Sequence, residues 1–510
     1  MLSAFIRGAL FVLLLSLTAT APAQDAPPLD SDPTAKALEL QDKAFDAIGR
    51  RDYDEAERLL RRQLELDPGN FVPHYNLACV LALKGDAAAC GEQLLRAVEH
   101  GFSDVNRLRT DPDLANARND ENYLKIVNNW GFVLEKHRDA NLSRCKQFFK
   151  GGSYLTGFDE ELRLAYLSAA DPKSFEQARE DITRLARWGV TNVFPDLALT
   201  EPQAGETPAK RSRPDAWVVV ILPTPDDFQR WSRMVFGPDA GSGMSTVGGI
   251  YSHDSKRLVA MDLGATLRHE FFHVLHWRSC ERLGQPHPPW IQEGLCSLVE
   301  DYEVRGSGDA ATIEPVPSWR TNVAKRLARS GRLTPIKTLA AMSRESFIAS
   351  RPLAQYGQAR AVFLFLWQQG KLKDWYAAYT RGFKDDPTGV HAIEEVFERP
   401  MAEVEKLYRD WLKALPEVAE QISPGSAGLG AEVEPGDGDG PVIVQIDPRG
   451  PARRAGLRVR DAITAINGQP TRDLNELVRV LGELELGDAI EVSYRRGRQH
   501  GTVQLTLSRR

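Results

Sequence analysis

Two histidines four positions apart, in His269-Glu270-Phe271-Phe272-His273, dictate local structure before any chemistry is considered. In a helix, positions i and i+4 share a face, so both imidazoles reach one ion only if this stretch is helical. The flanking residues agree. Leu267, Phe271, Val274 and Leu275 recur at helical spacing as an apolar stripe, predicted to lie opposite the histidines, and Gly284 is a stop after Leu283. A second helix is predicted after Pro288-Pro289, with Ile291, Leu295, Leu298 and Val299 as its stripe and Glu293 on the opposite side. Glu293 follows His273 by 293 − 273 = 20 residues, room for a loop and a returning helix. His269, His273 and Glu293 with one position left open are the donor set of a catalytic zinc site, so one Zn2+ per chain is expected. Glu270 is then placed to take a proton from water. Glu300, seven residues past Glu293, either orients a ligand histidine or is solvated. His276 shares the ligand face, but a fourth protein ligand would close the open position, so it reads as a packing or supporting residue. His253 and His287 have no supporting pattern.

His269-Glu270-x-x-His273 followed by Trp290-Ile291-Gln292-Glu293-Gly294 resembles the gluzincin metallopeptidases, in particular the peptidase MA-like group. Trp217 to Leu222 with Pro223 to Phe228 is similar to that group's opening strand. Gly248-Gly249-Ile250-Tyr251 and Lys256 to Met261 are similar to its next two strands. The resemblance spans residues 150–420 and implies a zincin-like domain, a mixed sheet followed by helices with the zinc cleft between. It also implies that Tyr356, in Leu353-Ala354-Gln355-Tyr356-Gly357-Gln358, supports the oxyanion of the transition state. Cys296 stands where related sequences commonly carry alanine, a packing difference. No Gly-x-Met-Glu-Asn motif precedes the zinc helix, which argues against the aminopeptidase branch.

Flanking modules are legible on both sides. Ala44, Tyr53 and Ala56 recur as Ala78, Ala87 and Cys90, each displaced by 34 (78 − 44, 87 − 53, 90 − 56). Residues 35–128 therefore resemble tetratricopeptide repeats, with Asp52 and Asp86 opening second helices and an irregular third unit ending near Asn128. They serve either as a protein-binding surface or as a spacer. Residues 424–510 resemble a PDZ domain: strand Val442 to Val444, a short helix after Gly450-Pro451, a strand ending in the Asn467-Gly468 turn, helix Leu474 to Leu481, and two closing strands. That resemblance implies a groove for the C-terminal end of a peptide, with Gly428-Leu429-Gly430 as the carboxylate loop, or a degenerate scaffold. The flexible stretch Ser423–Gly440 suggests that this module is tethered apart from the chemistry.

Residues 1–23 read as a secretory signal: Arg7, the apolar run Ala9–Leu17, then Ala21-Pro22-Ala23 before Gln24. No other segment is apolar enough to span a bilayer, so a mature chain without a transmembrane span, periplasmic or extracellular, is expected. A net charge of −6 over 510 residues argues against a nucleic-acid partner. Five cysteines without Cys-x-x-Cys spacing exclude a cysteine metal site of the usual kind; Cys79 and Cys90 either bridge a helical hairpin or are buried thiols. The fold class expected is multidomain α+β: helical hairpins, a zincin-like mixed-sheet and helical domain, and a small β-rich module. The function expected is an exported zinc endopeptidase whose repeats and PDZ module recruit protein or peptide. The competing reading is a non-catalytic adaptor on a retired peptidase fold. Retirement removes the acid-base or a ligand, and Glu270, His269, His273 and Glu293 are all present.

Overall fold

Trp217–Ile221 is apolar at every position, with no polar alternation, the pattern of a strand covered on both faces. In the computed structural model it is the middle strand of five. The structure describes residues 33–197, 215–236, 248–253, 255–419, 427–434, 436, 439–482 and 484–509. The expected secretory signal 1–23, almost all of the loop 200–215 and parts of the stretch 423–440 lie outside those residues. Among the described residues, no helix is long and apolar enough to cross a membrane.

Strands β1 (Leu155–Asp159), β2 (Leu164–Ser168), β3 (Trp217–Ile221), β4 (Gly249–Ser252) and β5 (Arg257–Ala260) form a sheet in the order β1-β2-β3-β5-β4. β2, β3 and β5 run parallel, and β1 and β4 are antiparallel edges. Alternate side chains split into two cores. Tyr166, Val219 and Leu258 face the helices Pro172–Asn192 and Ala265–Leu283. Leu167, Val220 and Val259 face Cys145, Phe149 and Trp231 on the other side. A hairpin, β6 (Tyr302–Arg305) and β7 (Thr312–Pro315), then leads into helices that include Trp319–Arg329, Pro352–Gln368 and Met401–Ala414. The sequence beyond Thr334 reads as mostly helical, with one helix expected over Ala359–Gln369; in the structure that helix begins seven residues earlier, at Pro352, and runs to Gln368. Pro352 supplies a ready-made first turn, and Gly357 lets the helix lie against Trp319–Arg329, since a Cβ there would sit 2.8 Å from the Arg320 carbonyl oxygen. Tyr356 is therefore a helical residue.

The amino-terminal helices Pro33–Gly49, Tyr53–Leu66, Phe71–Leu83 and Ala87–Glu99 pack as successive antiparallel pairs. Asp52 and Asp86 cap the second helix of each pair, accepting from the Glu55 and Ala89 N–H groups. Arg51 and Gly85, also 34 residues apart, both take positive φ in the turn before the cap. Ala44, Ala56, Ala78 and Cys90 are fully buried where the helices cross. Cys79 and Cys90 are free thiols, as are Cys145, Cys280 and Cys296. A longer helix, Trp130–Phe148, ties this region to the sheet: Asn141 donates to the Ser255 carbonyl and accepts from Arg257.

The carboxy-terminal module contains β8 (Ala427–Gly428), β9 (Ala431–Glu434), β10 (Val442–Ile446), β11 (Ala462–Ile466), β12 (Gln469–Pro470), β13 (Ala489–Arg496) and β14 (Gln499–Thr506). Its main sheet runs β14-β13-β11-β10-β9 and closes over the helix Leu474–Gly482. Asn467 and Gly468 both adopt positive φ in the β11–β12 turn. This module is not held apart. Arg268, on the helix that carries His269, is paired with Glu476 at 2.7 Å, both buried. His500 meets Asp171 at 3.0 Å, and Ser174 donates to Asp439. Removing one member of a buried pair of this kind costs about 3–5 kcal/mol, so the expectation of a loosely tethered module is corrected.

Candidate metal centre

Helix Ala265–Leu283 starts where Asp262 accepts from the Gly264 and Thr266 N–H groups, and stops at Gly284 in the left-handed conformation. Every residue from Leu267 to His276 is buried. The predicted apolar stripe therefore packs on the sheet while the histidine face is enclosed as well. The second helix, Pro289–Leu298, is pressed onto Pro352–Gln368 at Gly294, where a Cβ would lie 2.5 Å from the Phe363 ring. That close approach explains the glycine directly after Glu293.

His269 Nε2 and His273 Nε2 lie 3.1 Å apart, and Glu293 Oε2 is 3.5 Å from each. Three ligands about 2.0–2.1 Å from a tetrahedral ion stand about 3.3 Å from one another, so the triangle matches such an ion. Both oxygens of buried Glu293 and Oε2 of buried Glu270 lack a hydrogen-bonding partner. Buried groups of that kind call for a cation or a solvent partner. Electrostatics point the same way. Burial disfavours charge on His269, but the Glu293 carboxylate 3.5 Å away and the Glu300 carboxylate at 2.9 Å outweigh it and raise the ring to about 10, so without an ion a proton takes the place a cation would hold. Burial likewise opposes ionisation of Glu293, yet the histidines hold its carboxyl far below the ordinary range. The residues fit a divalent metal with nitrogen and oxygen donors.

Around that triangle the structure resolves one open alternative and adds residues that the sequence did not flag. Glu300 is not solvated: His269 Nδ1 donates to its Oε1 at 2.9 Å, which turns Nε2 toward His273 and Glu293 as the atom that would meet a metal. The Pro289–Leu298 helix has ended by then, so Glu300 arrives through a turn rather than along the Glu293 face. Arg320 donates to Glu300 at 2.6 Å; burial raises the Glu300 pKa, but Arg320 and His269 bring it down to about 2. Tyr251 stacks on His273 at 4.4 Å, almost parallel. Arg344 lies 3.7 Å from Glu293 and donates to Gln292.

Glu270 packs against Gly249, where a Cβ would come within 2.9 Å of its side chain. Burial pushes its carboxyl up to about 8, with the Glu293 and Glu300 charges adding to the rise against the pull of His269. Tyr356 is 2% exposed, packed on Phe347 and beneath the Arg320 guanidinium. Burial and then the Glu293 charge keep its hydroxyl protonated. Two cavities flank the centre. One of about 460 Å³ is lined by Tyr251, His273, Gln292 and Arg344, and also by Arg107 from the amino-terminal helices. The other, about 130 Å³, is lined by Gly249, His269, Glu270, Glu300, Arg320 and, from the carboxy-terminal helix, Asn475.

A second group of ligand-type atoms, His276, Cys280 and His287, lies further along the same helix. His276 Nε2 and His287 Nδ1 are 2.8 Å apart, a hydrogen bond. At the far end of the chain, Leu429 is in the core of its module, and its carbonyl accepts from the Ala452 N–H. Gly430 has φ 71°, and a Cβ there would strike Pro451 at 2.8 Å. Gly428 pairs with Ser508. The Gly428–Gly430 turn thus sits beside helix Leu474–Gly482 at the start of β9, which pairs only with β10 among the described residues.

Residues 427–507 match the family model of the PDZ domain. The chain is 27% identical over 104 residues to the probable periplasmic serine endoprotease DegP-like of Rhizobium meliloti, covering 20% of this chain and 21% of that protein. It is 29% identical over 99 residues to the namesake of Halomonas elongata, covering 19% and 20%. Among solved structures it matches the serine endoprotease from Yersinia pestis at 25% identity (22% and 36% of the two chains, TM-score 0.15). An HtrA-type protease AlgW with decapeptide matches at 23% identity (21% and 35%, TM-score 0.16). The likeness is confined to the PDZ region, and the chain spans about a fifth of the length of the curated relatives it matches. The carboxy-terminal module is a PDZ domain.

Proposed function

We propose that this chain is a zinc metallopeptidase of gluzincin type, an endopeptidase acting in the periplasm or outside the cell. The observation that carries the proposal is the buried triangle of His269 Nε2, His273 Nε2 and Glu293 Oε2, with Glu270 beside it and Glu300 behind it. A zinc ion held there supplies a Lewis acid that polarises a carbonyl and acidifies water. The chain's own residues do the rest. Glu300 fixes the His269 tautomer and Tyr251 fixes the His273 ring plane. Glu270 faces the smaller cavity; a dication beside it would oppose the rise to about 8 and leave a carboxylate that takes a proton from water, then gives it to the leaving nitrogen. Tyr356, kept protonated by its surroundings, donates to the developing oxyanion.

The serine endoproteases related through the PDZ region support a proteolytic and periplasmic setting, but the likeness covers no residue of the metal triangle. In this reading the PDZ groove takes an extended peptide end against β9 and the Gly428–Gly430 turn, and the amino-terminal helices act as tetratricopeptide-like partner surfaces. The test is metal analysis of purified full-length protein with a peptide-library digest, beside Glu270→Gln. One zinc per chain and chelator-sensitive cleavage lost in Glu270→Gln is the expected result. Zinc-free protein, or equal cleavage by both forms, favours the non-catalytic adaptor or another chemistry.

A further inference from the structure

The site's smaller cavity is not closed by the catalytic domain alone. Asn475, an exposed residue in the first turn of the PDZ helix, lines it together with Glu270 and His269. Its neighbours are built into the same helix that carries those two residues. Asp473 Oδ2 accepts from the Ala265 N–H at 3.0 Å, while its Oδ1 accepts from the Glu476 N–H at 2.9 Å. One carboxylate therefore caps two helices, the PDZ helix and the His269 helix. Gly264 makes this approach possible, since a Cβ there would sit 2.5 Å from Asp473 Oδ2.

Glu476 completes a second path. It accepts from buried Arg268 at 2.7 Å, and the same guanidinium donates to the Glu300 backbone carbonyl, whose side chain holds His269. Arg472, next to Asp473, braces the joint: its N–H donates to Glu476 Oε2 at 2.7 Å and its guanidinium lies 3.3 Å from Asp181. The chain Glu476–Arg268–Glu300–His269 consists of polar contacts between buried groups. Such a network transmits position because each member has few alternative partners.

We infer that the first turn of the PDZ helix is part of the hydrolytic site. Asp473 and Glu476 are positioning residues for the helix bearing His269 and Glu270, and Asn475 is a wall of the cavity beside Glu270 that contacts the substrate backbone or side chain. The inference rests on the metallopeptidase reading for its kinetic consequences. Its geometric half is independent of that reading. A PDZ domain used only for recruitment would leave cleavage of a short peptide untouched; here the module sets the rate and affinity of the short-peptide reaction itself.

The experiment uses zinc-loaded full-length protein and the best-cleaved member of a mixed peptide library, well below the melting temperature of every variant. Asn475→Ala is expected to raise KM three- to tenfold with zinc content and melting temperature unchanged. Asp473→Ala is expected to lower kcat at least tenfold with zinc retained, and Asp473→Asn to recover part of it, because its one amide oxygen can still accept the Ala265 N–H while its NH2 cannot accept the Glu476 N–H. Wild-type kcat and KM in both alanine variants would overturn the inference. Glu270→Gln runs alongside as the control on the chemistry. If wild type and Glu270→Gln are equally inactive, the metallopeptidase reading fails, and amide exchange then decides the inference. Faster exchange of residues 265–270 in Asp473→Ala, with the sheet unaffected, supports the coupling; unchanged exchange overturns it.

Discussion

One helix carries two groups of metal-ligand residues, and they have opposite characters. His269 and His273 face Glu293 with unsatisfied oxygens, a supporting carboxylate and cavities on two sides. His276, further along the same helix, is paired with His287 at 2.8 Å, shorter than the separation of about 3.3 Å that two ligands of one tetrahedral ion need. No carboxylate belongs to that group. Its rings are packed among Phe194, Tyr376, Tyr379 and Phe383, and one edge of the group, with Cys280, lines the far wall of the larger cavity. Residue type alone does not make a metal site. What separates the two groups is the carboxylate: neither Glu293 oxygen is hydrogen-bonded, with His269, His273 and Arg344 no nearer than 3.5 Å, whereas His276 and His287 satisfy each other.

The sharpest way to break this comparison is metal stoichiometry. Full-length protein is expected to hold about one zinc, and Glu293→Ala or His269→Ala to hold almost none. Cys280→Ser and His276→Asn should keep the full equivalent. Elemental analysis of the four variants decides it: two equivalents in wild type, or one lost with Cys280, would make the second group a metal site too. Next in size is turnover. Glu270→Gln changes no ligand, so zinc stays while kcat on a short peptide falls by about 10²–10⁴-fold, whereas Cys280→Ser falls less than twofold. Comparable losses in both variants would erase the distinction. A smaller effect is expected at Glu300. Glu300→Gln still accepts the His269 Nδ1 proton but loses the charge, so zinc affinity should drop about 10–100-fold, read by competition with a chelator. Unchanged affinity would show that Glu300 serves Arg320 and the fold, not the metal.

These contrasts also show what a sequence exposes. His269, Glu270 and His273 were readable because their relation is local and periodic, and Glu293 because its own helix repeats the pattern. The 34-residue repeat was readable for the same reason, whereas the strand at Trp217–Ile221 has no period and was read from its apolar run and the family resemblance. Glu300 was only half readable: it lies near Glu293 in sequence, but a turn, not a helix face, brings it to His269. Arg320 and Arg344 meet their partners across 20 and 52 residues, and Asp473 meets Ala265 across 208. No periodicity encodes such contacts. The polar stretch around Ser423–Gly440 suggested a free tether because composition reports on a segment's own tendency to order. What the domains beyond it touch is decided by Arg268 and Glu476, whose complementarity appears only after both domains have folded.

The last contrast is in acid. Burial holds His287 down to about 3 and pushes His276 well below its usual value, so both rings are neutral in the folded chain at neutral pH. Their shared hydrogen bond needs one donor and one acceptor nitrogen, so it is lost once the accepting ring is doubly protonated. Unfolded histidine titrates near 6.5, so below that pH the unfolded state binds more protons than the folded one. The stability contributed by His287 is therefore fully present above pH 6.5 and is lost as pH falls toward 3, at about 1.4 kcal/mol per pH unit. Metal release and the carboxylates Glu293 and Glu300 also weaken the fold in acid, so the measurement uses chelator-treated protein and compares slopes. Urea unfolding of wild type and His287→Gln between pH 7 and 4 should show the variant less stable at pH 7. It should also take up about one proton fewer on unfolding in the range 4–6. Equal slopes would mean that His287 is charged inside the fold, which requires an anion or a coordinated partner beside it, and the second group would then have to be reconsidered as a binding site.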